Sequence, residues 1–146
     1  MPELTRAQIQ ALVPHAGSMC LLDRVLAWDA EHIHCRSDRY HRDAAHPLRR
    51  GGRLAAVNLV EYGAQAAAVH AGLVAVDTSA QRPRAGFLAA LRDVQLCAGD
   101  VGDLTAPLDV HAYRQMGGQQ GMIYRFAVAH EGATEVSGRL TIMLAS

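Results

Sequence analysis

Positions 46–75 of the chain read HPLRRGGRLAAVNLVEYGAQAAAVHAGLVA. After the pair Gly51-Gly52 the stretch runs about twenty residues without proline, and glycine occurs in it only at Gly63 and Gly72. Val57, Val60, Ala64, Ala67, Ala68 and Ala71 recur at steps of three and four, the spacing of one helix face. Most of these side chains are small. They allow a close neighbour, and a curved sheet wrapped around the helix is one way to supply it. One carboxylate, Glu61, shares that side with Val57, Ala64 and Ala68. A carboxylate aimed at a core is rare unless it is paired or used chemically.

The flanking sequence supplies strands. Residues 4–12 predict a short helix, with Thr5 as its cap and Ile9 and Leu12 facing inward. Pro14 and Gly17 break it. A β-like run follows over 19–28, and 32–40 alternates, with Ile33 and Cys35 on one face and His32, His34 and Arg36 on the other. A polar, Arg-rich loop covers 41–53 and a polar connection covers 77–84. Strands are expected at 85–91, 94–98, 104–116, 122–130 and 135–144. Gly99-Asp100, Gly117-Gly118 and Glu131-Gly132 mark turns between them. Helix, two strands, one long helix and four or five antiparallel strands make an α+β chain. A single long helix of small residues among such strands points to the hotdog fold, expected as one domain over 1–146.

Composition narrows the function. Fourteen basic and fourteen acidic residues cancel, so no nucleic-acid or membrane surface is expected. Asn58, Glu61, Gln65 and His70 interrupt the longest apolar run, so no membrane span is expected. The N-terminal MPELTRAQIQ has no signal-peptide stretch, and a cytoplasmic protein is expected. Cys20, Cys35 and Cys97 lack CxxC spacing, which fits a reducing compartment. All the basic residues are arginine; with abundant alanine this reads as genome bias. His32, His34, Cys35, His41 and His46 match no zinc spacing, so no metal is expected. The glycine pairs form no phosphate loop.

Four places together resemble the β-hydroxyacyl-acyl-carrier-protein dehydratases. Residues 12–25, LVPHAGSMCLLDRV, resemble that family's N-terminal Pro-His…Leu-Leu-hydrophobic-Asp-Arg-Val signature. His46-Pro47 stands where the family carries its catalytic histidine. The run 61–65, EYGAQ, resembles the helix motif Glu-x-x-Ala-Gln, whose glutamate is the other catalytic residue. Gly99-Asp100 resembles the family's Pro-Gly-Asp turn. The loop after His46, PLRRGGRLAAVN, departs from the main family and is more similar to the divergent hotdog dehydratases of aryl-polyene-type gene clusters. His15 matches a family position but reads as structural.

The resemblance implies removal of water from a 3-hydroxyacyl thioester. That chemistry needs a base for the α-proton, an acid for the departing hydroxyl, and donors for the charge on the thioester carbonyl. His46 suits the first role because an imidazole titrates near neutrality. Glu61, on an apolar helix, suits the second. The helix start after Gly51 and Gly52 offers backbone N–H groups for the third. Asn58 and Gln65 are placed to orient Glu61 or the substrate. Arg49, Arg50 and Arg53 are placed to meet an acidic acyl carrier protein, whose phosphopantetheine carries the substrate; no other cofactor is expected. In the resembled family the His and Glu come from opposite subunits, which implies a homodimer, a multiple of dimers, or pairing with another hotdog subunit. Two rivals remain: a hotdog thioesterase using Glu61 to activate water, and a non-catalytic hotdog subunit that supports a partner dehydratase.

Overall fold

A computed structural model describes residues 3–12, 20–38, 40–79, 86–96, 100–117 and 121–144. Side chains at 76–79, 86–87 and 144 are outside that description. The elements run α1 (Arg6–Leu12), β1 (Arg24–Trp28), β2 (His32–Ser37), 3-10 turns at Tyr40–Arg42 and Ala56–Asn58, α2 (Leu59–Ser79), β3 (Gly86–Leu96), β4 (Leu108–Gly117), β5 (Gly121–His130) and β6 (Ala133–Leu144). The six strands form one antiparallel sheet in the order β1-β2-β4-β5-β6-β3. Helix α2 lies across its inner face and packs on β2, β4, β5 and β6. This is the hotdog arrangement expected from the sequence.

Local chemistry accounts for the elements. Thr5 and Gln8 form a capping box at the start of α1: the Gln8 N–H donates to Thr5 Oγ1 at 3.4 Å and the Thr5 N–H to Gln8 Oε1 at 2.8 Å. Ile9 is then buried. Glu131 and Gly132, at φ 51° and 82°, make the two-residue turn between β5 and β6, the conformation that matches strand twist.

Several boundaries differ from those expected. The segment over 20–23 is not strand, and β1 starts at Arg24; residues 13–19, with Pro14, His15 and Gly17, lie outside the described residues. Strands expected at 85–91 and 94–98 are one strand, β3. Asp93 takes φ 54° inside an irregular register between Arg92 and Gln95, so the polar residues there form a bulge instead of a turn. β4 begins at Leu108, after Pro107, which has no N–H to give a ladder. Helix α2 continues through Asp77 to Ser79, where a connection was expected. Gly99 and Gly118 lie outside the described residues, as does Cys97.

The face of α2 that meets the sheet is corrected in part: Val60 and Ala67 are buried as expected, but the face is centred elsewhere. Leu59, Tyr62, Ala66 and Val69 are buried, spaced three, four and three. Ala64, Ala68 and Ala71 are only partly buried, and Val57, which sits in the preceding 3-10 turn, is 53% exposed. On a helix apolar on most sides, hydrophobicity does not tell the faces apart; bulk does, and the larger side chains turn to the sheet. Gly63 lets the helix come close, because a Cβ there would collide with the ring of Phe126. The stripe of Val57, Glu61, Ala64, Ala68 and Ala71 is left partly uncovered.

β3 is an edge strand. Leu88, Leu91 and Leu96 pair in register with Ile142, Leu140 and Val136. Those partners are buried, whereas Leu88, Leu91 and Leu96 are 40%, 42% and 51% exposed. The inner face of the sheet is therefore apolar beyond the reach of α2. No helix among the described residues is long and apolar enough to cross a membrane.

Candidate functional site

The site is built from the loop after the first 3-10 turn, the start of α2, and the segment before β1. Arg49 holds the loop from inside. Its Nε donates to the Asp43 carbonyl at 2.8 Å, Nη1 to the Gly52 carbonyl at 2.8 Å, and Nη2 to those of His41 at 2.9 Å and Gly102 at 3.0 Å. Four carbonyl acceptors around one guanidinium fix the loop's shape. Asp100 ties the same loop to β4's approach: its Oδ1 accepts from the Leu54 N–H at 3.3 Å and the Gly102 N–H at 2.9 Å. The Gly102 N–H, first among these contacts, holds the Asp100 carboxyl below its usual range.

The loop places His46 in the core, 3% exposed. Its Nδ1 accepts the Leu48 N–H at 3.1 Å, and its Nε2 is 2.8 Å from the hydroxyl of Tyr62. The Tyr40 ring tilts over it with centroids 4.8 Å apart. Burial, then the nearby Arg49 and His41 charges, push the imidazole down to about 4, against a smaller upward pull from Asp43. Tyr62 is wholly buried on α2, and that burial holds its phenol protonated well above the ordinary range.

Glu61 is half-buried on the uncovered stripe of α2. Its Oε1 accepts from Gln65 Nε2 at 3.4 Å. Gln65 is buried, and its Oε1 accepts the Leu21 N–H at 2.9 Å. That backbone donor fixes which end of the amide is oxygen, so the NH2 end faces Glu61. Gln65 thus orients the carboxylate from the segment that precedes β1.

The remaining sequence candidates fall in different places. Asn58 donates from Nδ2 to the Leu48 carbonyl at 3.4 Å, joining the helix start to the loop that follows His46. Gly51 and Gly52, at φ +59° and +76°, make an exposed turn between the bridged Arg50 and Arg53; the helical turns begin only at Ala56, so the glycines do not form the helix N-terminus. Arg50 and Arg53 are exposed, and Arg50 caps the Pro47 and Arg49 carbonyls. His32 and His34 lie on the outer sheet face. His32 Nε2 meets His111 Nδ1 at 3.0 Å, and His34 Nε2 meets Asp109 Oδ1 at 2.8 Å. His41 gives its Nε2 to the Leu104 carbonyl at 2.9 Å. Among the described residues no group of three His, Cys, Asp or Glu converges on a metal position. Burial pushes the Cys35 thiol far up, which leaves it inert.

Two members of the site escaped the sequence reading. Tyr62 follows Glu61 directly, and a tyrosine on the bulky face of a buried helix must find a partner for its hydroxyl; that was a usable signal. The Leu21 N–H carries no side-chain signal at all.

Known proteins resemble the chain as follows. The ApeP-like family model, described as ApeP dehydratase, matches residues 7–146. No curated protein sequence matches. Among solved structures, the dehydratase heterocomplex ApeI:P from Xenorhabdus doucetiae aligns at TM-score 0.83 and 21% identity, over 94% of this chain and 91% of that one. A mutant thioesterase PA1618 from Pseudomonas aeruginosa aligns at TM-score 0.67 and 16% identity, over 97% and 94%. Thioesterase HI1161 from Haemophilus influenzae aligns at TM-score 0.68 and 11% identity, over 98% and 92%. At these identities the solved structures speak to the fold.

Proposed function

The chain belongs to the ApeP-like dehydratase family, and we propose that it eliminates water from a 3-hydroxyacyl thioester to give the trans-2-enoyl thioester, in fatty-acid or polyene-type biosynthesis. The observation that carries this is Glu61, a carboxylate on a half-covered apolar stripe whose oxygen is oriented by an amide that the Leu21 N–H fixes in turn. In the proposed reaction the imidazole of His46 takes the α-proton, the electron pair forms the new double bond, and Glu61 gives a proton to the departing hydroxyl, which leaves as water. The Val57 N–H in the opening turn before α2 holds the thioester oxygen as charge builds on it. The acyl group arrives on the phosphopantetheine of an acyl carrier protein, in the cytoplasm, with Arg50 and Arg53 as the exposed cations of the docking loop.

The working unit is a pair of hotdog chains, either two copies or this chain with another hotdog subunit. Support comes from the edge strand β3, with Leu88, Leu91, Val94 and Leu96 at 36–51% exposure, and from the uncovered stripe around Glu61. An open apolar edge of this kind is stable only when covered. One structure that the chain resembles, at 21% identity, is a dehydratase heterocomplex, which supports the mixed pair.

A second reading is favoured by one observation. His46 is buried with both ring nitrogens engaged, as expected if this chain supports a partner dehydratase without acting itself. The test offers a 3-hydroxyacyl carrier protein to the purified chain, alone and with a co-expressed second hotdog subunit, and reads the carrier by mass spectrometry. A carrier lighter by one water supports dehydration. Free carrier thiol and a hydroxy acid identify a thioesterase. Dehydration that requires the second subunit and survives both His46→Ala and Glu61→Gln identifies the supporting role.

A further inference from the structure

The bonds around His46 decide its protonation state without reference to any substrate. The Leu48 N–H is only a donor, so Nδ1, 3.1 Å away, carries the lone pair. The proton of the neutral ring is therefore on Nε2, which donates it to the Tyr62 hydroxyl at 2.8 Å. In this form Nε2 has no lone pair and cannot accept a proton from carbon. Nor can Nδ1 take a proton, because it faces another N–H. The charged and titratable groups around the ring are Tyr40 and His41 from the 3-10 turn, Asp43 and Arg49 from the loop, and Tyr62 from α2. Only Asp43 favours a cation. With Nε2–H as the donor, the Tyr62 hydroxyl is the acceptor of this bond, and Ser37 acts on the same phenol from nearby.

We infer that Tyr62 is a positioning residue that latches His46 in a closed, donor form, and that the imidazole must leave Tyr62 before it can accept a proton. The inference rests on the reading of His46 as the proton-transfer group. The geometry is specific to this pair. Elsewhere in the core His70 and Tyr124 are bonded with the opposite polarity. The His70 Nε2–H donates to the Asp29 carbonyl at 2.7 Å, so its Nδ1 accepts the Tyr124 hydroxyl proton at 2.6 Å. There the phenol is the donor and the imidazole keeps a lone pair towards it; at His46 the roles are reversed. The latch also reconciles a buried, doubly bonded histidine with a catalytic one: the closed form is the resting form, and an acyl thioester competes with Tyr62 for the ring.

The size of the effect follows from the closed and open forms. Burial and the Arg49 and His41 charges already hold the ring's midpoint at about 4, below the usual value of about 6.5, and the bond to Tyr62 fixes its tautomer there. Removing the Tyr62 hydroxyl leaves a buried Nε2–H without an acceptor, which favours the open ring by roughly tenfold or more and raises the midpoint by about one unit or more. The experiment is nitrogen-15 NMR of histidine-labelled full-length protein. The wild type is expected to show His46 protonated at Nε2 and bare at Nδ1, neutral down to about pH 4. Tyr62→Phe is expected to move the midpoint up by a unit or more, and the acid limb of kcat/KM to move with it. A protonated Nδ1 in the wild type, or an unchanged midpoint in a folded Tyr62→Phe, overturns the latch. The wild-type tautomer needs no variant, so it decides even where Tyr62→Phe does not fold. A shifted midpoint in a protein that dehydrates nothing leaves the latch standing and removes the dehydratase reading instead.

Discussion

Replacing Gly63 by alanine should destabilise this protein, although the same change in most helices stabilises it. Alanine is favoured over glycine by about 1 kcal/mol in a helix interior. At Gly63 the added Cβ would run into the Phe126 ring, overlapping Cδ2, with Cγ at 2.7 Å and Cβ at 3.1 Å. The ring cannot retreat easily. Phe126 is wholly buried on β5, between β4 and β6, and its Cε1 lies only 3.2 Å from the position a Cβ would take on Gly138. Two glycines thus accommodate one phenylalanine, Gly63 from the helix and Gly138 from the neighbouring strand. Forcing an extra methyl into such a core costs about 1–3 kcal/mol, with the upper end apt where no neighbour can give. Against the propensity gain the net loss is about 1–2 kcal/mol, a fall in Tm of about 2–8 °C for a chain of this length. Urea unfolding followed by circular dichroism measures it. The collision is tested by repeating Gly63→Ala on a Phe126→Leu background, where most of the cost should vanish. If Gly63→Ala raises the stability, or costs the same with Phe126→Leu, the helix is not held to the sheet in this way. Glu61 and Tyr62 stand on the same turn, so a shift of the helix away from Phe126 would move the site as well.

Acid should weaken the fold before the carboxylates titrate. His46 is neutral in the folded chain down to about 4, whereas an unfolded histidine protonates near 6.5. Above that value both states are neutral and His46 contributes nothing to pH dependence. Below it the unfolded chain binds a proton that the fold refuses, and stability falls until about pH 4, by about 3 kcal/mol in all. His111, also held to about 4 by burial and by His34 and His32, acts in the same direction, and chemical denaturation between pH 7 and 4 reads the sum. Arg49→Ala should loosen the His46 loop by removing the donor to four carbonyls, a loss on the order of 2 kcal/mol. Arg53→Ala, at an exposed turn, should stay within about 0.5 kcal/mol; parallel thermal melts separate the two. Gln65→Leu should destabilise more than Gln65→Glu, by stranding the buried Leu21 N–H for which glutamate keeps an acceptor, while both should lower turnover because both lose the NH2 that faces Glu61.

The long helix and the alternation of its flanking strands were legible because periodicity reports directly on which residues are hidden. Ile33 and Cys35 are buried as their alternation implied. The facing of α2 was not legible. With alanine on every side the apolar pattern has no preferred direction, and only the bulk of Leu59, Tyr62 and Val69 reveals the inner face. The bulge at Asp93 was hidden for a related reason: one polar residue with a positive φ reads the same in a turn and inside a strand. Within the site, Glu61 and His46 stood out by chemistry and motif. The bonds that orient them did not, since Leu21 and Leu48 act through backbone N–H groups that every residue shares. Arg49 read as a surface charge because nothing in the sequence shows that four carbonyls of its own loop converge on it.

The proposed dehydration turns on the Glu61 carboxylate as a proton donor to the leaving hydroxyl. Turnover of a 3-hydroxyacyl carrier by wild type and by Glu61→Gln, each in its assembled pair, measures this directly. The account predicts that the amide binds the carrier but dehydrates it at least about a hundredfold more slowly. Equal rates in the two proteins would contradict it.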